Sequence, residues 1–282
     1  MNEHLLFLIP PIVNIIHDYL QKLIVILHKT GINLFDGKTI LPFLDYQTYR
    51  PDNLLISQKD IIQSFSLGKW MDLTDINSFC LKKEWVGYNI ITESSSIYLI
   101  GGDAFADVKI SYKFNLDDNS ILQLPSMNYV RYDHTLTILG DRIYAIGGRC
   151  YNNILDTVEY YENNKWINVK SMNKPRYNHK SVIHKGKIFV FGGFNGSKQR
   201  LTVERYDPEE NTWKDITYIP LNKHPFKVIN FENLIYIIGG SFPSWTLHDK
   251  ESTVIDIYDP DLNKWSIFET NSIYEDVYLA IL

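Results

Sequence analysis

The stretch Ile188-Phe189-Val190-Phe191-Gly192-Gly193 decides how this chain is read, because it is written four times. The other copies are Ile97-Tyr98-Leu99-Ile100-Gly101-Gly102, Ile143-Tyr144-Ala145-Ile146-Gly147-Gly148 and Ile235-Tyr236-Ile237-Ile238-Gly239-Gly240. The glycine pairs are separated by 46, 45 and 47 residues. A fixed period in this range marks an array of one repeated supersecondary unit.

Working outward, Trp166, Trp213 and Trp265 follow in register, with Ile121 in the same slot of the first unit. Each of Ile121, Trp166 and Trp213 lies 26 residues before the next glycine pair. An aromatic stands seven residues before the slot at Phe114, Tyr206 and Tyr258, and one residue closer at Tyr160. Each unit reads as four short strands, rich in β-branched and aromatic residues and bounded by turns. In the third unit these are residues 179–184, 187–193, 201–207 and 211–215. Lys185-Gly186 and Asp207-Pro208-Glu209-Glu210-Asn211 supply the turns. The second strand is apolar on both faces, as a strand buried between neighbouring sheets must be. Glycine after it allows positive φ and close backbone approach, and tryptophan buries a large area between sheets. These residues are therefore scaffold.

The glycine pair after an apolar strand, then Tyr-Asp-Pro, then Trp, resembles the kelch repeat over about residues 53–282. The near copies Ser126-Met127-Asn128-Tyr129-Val130-Arg131 and Ser171-Met172-Asn173-Lys174-Pro175-Arg176 match the link between kelch blades. The resemblance implies an all-β fold, a β-propeller of four-stranded blades. Residues 53–73 look like a degraded blade, since 62–70 align with 158–166. Residues 277–282 look like a spare first strand. Two arrangements follow: closure by strand donation from 277–282 to the blade begun at Asn53, giving about five blade-like units, or an open, shortened ring with two exposed edges. Residues 1–50 are expected to form a separate N-terminal helical segment, with a helix over 12–27, and 51–282 the propeller. The stretch 41–51 resembles the linker between the BACK domain and the propeller of BTB–BACK–kelch proteins, so 1–50 would be a BACK remnant. There is no room for a BTB domain, so direct cullin recruitment is not expected. With its Ile-, Asn-, Tyr- and Lys-rich composition, the chain resembles the shortened kelch-like proteins of poxviruses.

A net charge of −5, with no long basic block, argues against a nucleic-acid partner. Two cysteines, Cys80 and Cys150, make no disulfide framework and fit a reducing, cytoplasmic compartment. The apolar run at 4–28 is broken by Pro10-Pro11 and too short for a span, so membrane association is not expected. None of the eight histidines enters a zinc or metalloprotease pattern, and no metal or cofactor is expected. His134 and His179 share one phase of the repeat, which points to packing. Carboxylates cluster in turns, and nothing singles out a catalytic pair.

Family members receive partners on one face of the ring, through the loops after the glycine pairs and the segments leading into each first strand. The matching positions are Asp103, Arg149, Phe194 and Phe242, then Arg131, Tyr132, Arg176 and Tyr177. Trp245 lies in the longest loop, 241–252. Arginine and tyrosine dominate interface hot spots, and clustered arginines would suit an acidic peptide. The competing reading for Arg131 and Arg176 is hydrogen bonding between blades, and the fourth unit carries Lys223-His224-Pro225-Phe226 instead. The resemblance thus implies a non-enzymatic module that binds a cellular protein. The alternatives are a propeller enzyme with a central-channel site, a copper oxidase included, or an actin-binding kelch protein.

Overall fold

The computed structural model describes residues 88–93, 96–102, 111–115, 118, 120–196, 198–199, 201–220, 226–239 and 254–269, together with the backbone strands at 24–28, 31–35, 40–45, 63–66, 69–72 and 278–281. The described elements are all strands, and every pairing between them is antiparallel.

Four sheets correspond to the four sequence units, each with its strands hydrogen-bonded in chain order. The first comprises Asn89–Glu93, Ser96–Ile100, Ser111–Asn115 and Ile121–Leu124. The second comprises Thr135–Leu139, Arg142–Ile146, Val158–Glu162 and Lys165–Val169. The third comprises Lys180–His184, Lys187–Phe191, Thr202–Asp207 and Thr212–Tyr218. The fourth comprises Lys227–Phe231, Leu234–Ile238, Val254–Asp259 and Lys264–Glu269. The apolar strand before each glycine pair is buried along almost its whole length, and Ile97, Ile188 and Ile235 have no exposed surface. These strands lie second in the sheet, flanked on both edges and covered on both faces, which is why they carry no polar alternation.

The register corrects one detail of the sequence reading. Tyr206 pairs with Trp213, Tyr258 with Trp265 and Phe114 with Ile121. In the second sheet Tyr161, not Tyr160, faces Trp166, across a turn of Asn163 and Asn164, both with positive φ. Two residues fewer in this turn move the aromatic closer to tryptophan in sequence while its place in the ladder stays fixed. The hairpin Gln63–Ser66 with Lys69–Asp72 repeats that short form, with Phe65 opposite Trp70. It is a separate two-stranded sheet that falls where the sequence placed the last two strands of the degraded blade; the expected inner strand at 53–58 lies outside the described residues.

The chain forms two compact units, Asn53–Pro220 and Met1–Asp52 with Leu221–Leu282. The first holds the hairpin at 63–72 and sheets one to three. Sheets one and two share a core of Tyr98, Ile100, Leu124, Met127, Ala145 and Trp166. Sheets two and three share another of Tyr144, Ile146, Met172, Val190, Tyr206 and Trp213. Each tryptophan ties its sheet to the preceding link: Trp166 Nε1 donates to the carbonyl of Pro125 at 2.9 Å and Trp213 Nε1 to that of Lys170 at 2.8 Å.

The second unit holds the fourth sheet, with its own cluster of Phe231, Tyr236, Ile238 and Ile255, and a composite sheet. The composite sheet runs Tyr278–Ile281, Ile24–His28, Gly31–Phe35, Ile40–Asp45. This overturns two expectations. Residues 24–27 are strand, not the end of a helix, and 41–44 are strand, not linker; residues 1–23 lie outside the described set. The C-terminal strand is indeed donated, but to Ile24–His28, with Ile24 opposite Ile281 and Leu27 opposite Tyr278, and not to the blade at Asn53. Ile24, Val25 and Ile26 are β-branched and favour a strand, although the short apolar run they form with Leu27 reads equally as buried helix by periodicity. Three such segments ending in one unpaired edge offer the C-terminal strand a full ladder.

Candidate interaction face

The architecture of the candidate face begins with the two links. Arg131 and Arg176 occur at the same point in each, and both side chains are completely buried. Arg131 Nη1 donates to the carbonyls of Gly147, at 2.7 Å, and Thr157, at 3.0 Å, and Nη2 pairs with Glu159 at 2.7 Å. Arg176 repeats this with Gly192, Thr202 and Glu204. Their own carbonyls accept from the second glycine of the preceding pair: Gly102 N–H donates to Arg131 and Gly148 N–H to Arg176, each at 2.9 Å. One residue thus holds the preceding sheet by its backbone and its own sheet by its guanidinium. The expectation that Arg131 and Arg176 meet a partner is therefore corrected: a planar fork of donors has been used to satisfy loop carbonyls inside the scaffold.

The buried carboxylates Glu159 and Glu204 complete the knot. Glu159 accepts the backbone N–H of Asn128 at 2.8 Å, and Glu204 that of Asn173 at 2.7 Å. Sequence reasoning missed both, although Thr157-Val158-Glu159 and Thr202-Val203-Glu204 repeat at the blade period. His134 and His179 pack where their phase placed them, as buried rings. Burial and the nearby Arg131 push the His134 imidazole down to about 3, so it is neutral; burial, with Arg176, also holds His179 well below its usual range. Among the described residues no cluster of histidine, cysteine and carboxylate could hold a metal ion.

Above this layer stand two short hairpins, Arg149–Cys150 with Asn153–Ile154 and Phe194–Asn195 with Lys198–Gln199. Each is clipped to the link below by an antiparallel bridge, Tyr132 to Arg149 and Tyr177 to Phe194. Each tyrosine hydroxyl donates to its hairpin tip: Tyr132 to the carbonyl of Tyr151 at 3.1 Å and Tyr177 to that of Gly196 at 3.0 Å. The Arg149 guanidinium lies 4.8 Å from the Tyr132 ring centre and 4.7 Å from that of Tyr177. Asp133, missed in the sequence, pairs with its Nη2 at 2.7 Å. Phe194 continues the strip, its ring 5.7 Å from Tyr177. Tyr132, Arg149, Tyr177 and Phe194 are all half-buried. Four expected residues therefore meet in one partly exposed strip running from sheet two to sheet three. Asp103, Phe242 and Trp245 lie outside the described residues.

Residues 87–275 match the family model KLHDC2/KLHL20/DRC7 Kelch-repeats domain. The chain is 26% identical to human Kelch-like protein 23 over 245 residues, 79% of this chain and 42% of that protein. It is 40% identical to rat Kelch-like protein 24 over 177 residues, 61% of this chain and 28% of that protein. It is 37% identical to Protein C13 of Swinepox virus over 173 residues, 61% of this chain and 34% of that protein. It spans less than half the length of these relatives. The solved structure of YjhT superposes on 67% of this chain and 66% of its own with a TM-score of 0.53 at 17% identity, a likeness of fold. The four sheets of the repeat, within residues 87–275, are blades of a kelch β-propeller, and the chain belongs to the kelch-repeat family.

Proposed function

We propose that this protein is a non-enzymatic interaction module that holds a cellular protein on the strip Tyr132–Arg149–Tyr177–Phe194. The observation that carries this reading is the strip itself. The buried arginines, histidines and carboxylates are consumed by the scaffold, whereas these four side chains are held rigid yet half-exposed. Each cation–π contact at such a site contributes about 0.5–1 kcal/mol, so Arg149 between two rings is ordered before anything binds. Preordered aromatic and arginine side chains lose little entropy on docking and make effective anchors. The similarity to a swinepox protein supports a virus-encoded factor acting on a host protein, and a sequence with two cysteines and no disulfide framework supports a cytoplasmic site of action.

The test is recovery of partners from animal-cell cytosol by wild type and by an Arg149→Ala/Tyr177→Ala double variant that still melts cooperatively. The variant is expected to recover at least about tenfold less of a wild-type partner, the loss of one ordinary hot spot. Equal recovery by both proteins would remove the strip from consideration.

A further inference from the structure

Arg142 opens the buried strand that ends before Gly147-Gly148, so the end of sheets two and three that lies opposite the strip is built from other residues. A cleft of about 370 Å³ lies there between the two sheets. That is near the small end of ligand sites and gives room for one long side chain with its backbone. The apolar lining is Leu139, Pro208 and the Tyr144 ring, and the charged lining is Asp141, Arg142 and Glu162.

These charges do not cancel. Arg142 Nε donates to Glu162 Oε1 at 2.8 Å, and the guanidinium lies 4.6 Å from the Tyr160 ring centre. The bonds to Glu162 and to the Tyr144 hydroxyl raise the Arg142 pKa further, so this group stays charged. Arg142 and Glu162 therefore neutralise one another. Asp141 is exposed in the two-residue turn between Leu139 and Arg142, and among the described residues no cation pairs with its carboxylate. No lysine lines the cleft, and Lys187, next to Gly186 in the chain, is already held by Asp207. The cleft thus carries one carboxylate in excess.

This sign decides the class of guest. A carboxylate or phosphate would face two carboxylates and a guanidinium already paired, whereas a cation meets a net attraction. Apolar walls beside unspent carboxylate oxygens fit a guest with an aliphatic stem and a positive head. A lysine has both, and the three donors of its ammonium can serve two separate carboxylates at once. We infer that this cleft is a second docking site, for a lysine side chain projecting from a partner protein. Its stem lies along Leu139, Pro208 and Tyr144, and its ammonium meets Asp141 and the free oxygen of Glu162. The site stands or falls independently of the strip.

The experiment uses the full chain with isotope-labelled glycine. Gly140 and Gly186 report from the cleft by NMR, and Gly148 and Gly193 from the opposite end of the sheets. The probe is N-acetyl-lysine methylamide. Its norleucine counterpart keeps an aliphatic stem without the charge, and its glutamate counterpart reverses the charge. The lysine probe is expected to move Gly140 and Gly186 saturably, with half-saturation on the order of 1–10 mM for so small a ligand, and to leave Gly148 and Gly193 in place. Asp141→Asn, a change on an exposed turn, should weaken binding about fivefold, the worth of one surface ion pair. No movement of Gly140 and Gly186 at about ten times the expected half-saturation would overturn the inference. So would equal binding of the norleucine probe, which would leave only an apolar crevice. Tighter binding of the glutamate probe would make Arg142 the recognising group and overturn it too, as would unchanged binding by Asp141→Asn.

Discussion

Removing the guanidinium of Arg176 would leave Glu204 fully buried with its cationic partner gone, take the Arg176 donor from the Gly192 carbonyl, and leave the Thr202 carbonyl with only the Gly192 N–H. Breaking a buried pair in this way costs about 3–5 kcal/mol. Arg176→Ala is therefore expected to lose that much in denaturant unfolding, against less than about 1 kcal/mol for Lys174→Ala, whose partner Asp215 is half-exposed. The buried histidines, like a buried carboxylate in an ion pair, make stability fall on acidification. His134 titrates at about 3 when folded and near 6.5 when unfolded, so the unfolded chain binds the proton more tightly. Its contribution is fully present above pH 6.5 and is lost as pH falls toward 3. In the fourth sheet Phe226 holds the equivalent place, one residue before Lys227, and is buried at 3%. A His134→Phe/His179→Phe variant should thus show a shallower loss of stability between pH 6.5 and 3 than wild type; an unchanged slope would contradict the assignment. The packing role of these rings was legible in their repetition, whereas the burial of Arg131 and Arg176 was not. An arginine two residues after a variable position reads the same whether its fork meets a partner or its own loop.

At the scale of the element, the glycine pairs serve two neighbours at once. A Cβ on Gly147 would lie 2.7 Å from the carbonyl of Arg176 and 2.8 Å from the His179 ring, at a φ of 56°. A Cβ on Gly148 would meet the Tyr132 carbonyl and His134 at 2.7 Å. The first glycine gives room to the next sheet and the second to the entry of its own. Gly186 also has positive φ, 72°, but open space around it. Gly186→Ala should cost only the left-handed strain, about 1 kcal/mol. Gly147→Ala carries the same strain plus a clash with backbone and should cost at least about 2 kcal/mol more, as read from urea midpoints. Equal losses at the two sites would sink the close-approach argument. Strand identities and their order were legible because burial imposes a continuous apolar run on the second strand and turn residues punctuate the rest. The short hairpins at 149–154 and 194–199 were not, since two-residue strands have no periodicity to read.

At the scale of the whole molecule, the composite sheet joins segments more than two hundred residues apart in sequence. Removing residues 278–281 would strip Ile24–His28 of one of its two ladder partners and expose an apolar edge. The truncated chain is expected to melt well below wild type and to aggregate in a concentration-dependent way by light scattering; an unchanged melting curve would mean that this pairing contributes nothing. The repeat period, the four sheets and the identity of their buried strands were determined by the sequence alone, because each unit satisfies its hydrogen bonds locally and leaves the same imprint every turn. Donation of the last strand was also visible in the sequence, as a surplus strand, but its acceptor was not. The short apolar run Ile24-Val25-Ile26-Leu27 has no periodicity that separates helix from strand, and only the neighbouring edges settle it. The division of arginines and tyrosines between scaffold and surface was likewise decided by tertiary structure. Whether a side chain faces solvent depends on which carbonyls the fold leaves beside it, and that is a property of the assembled sheets.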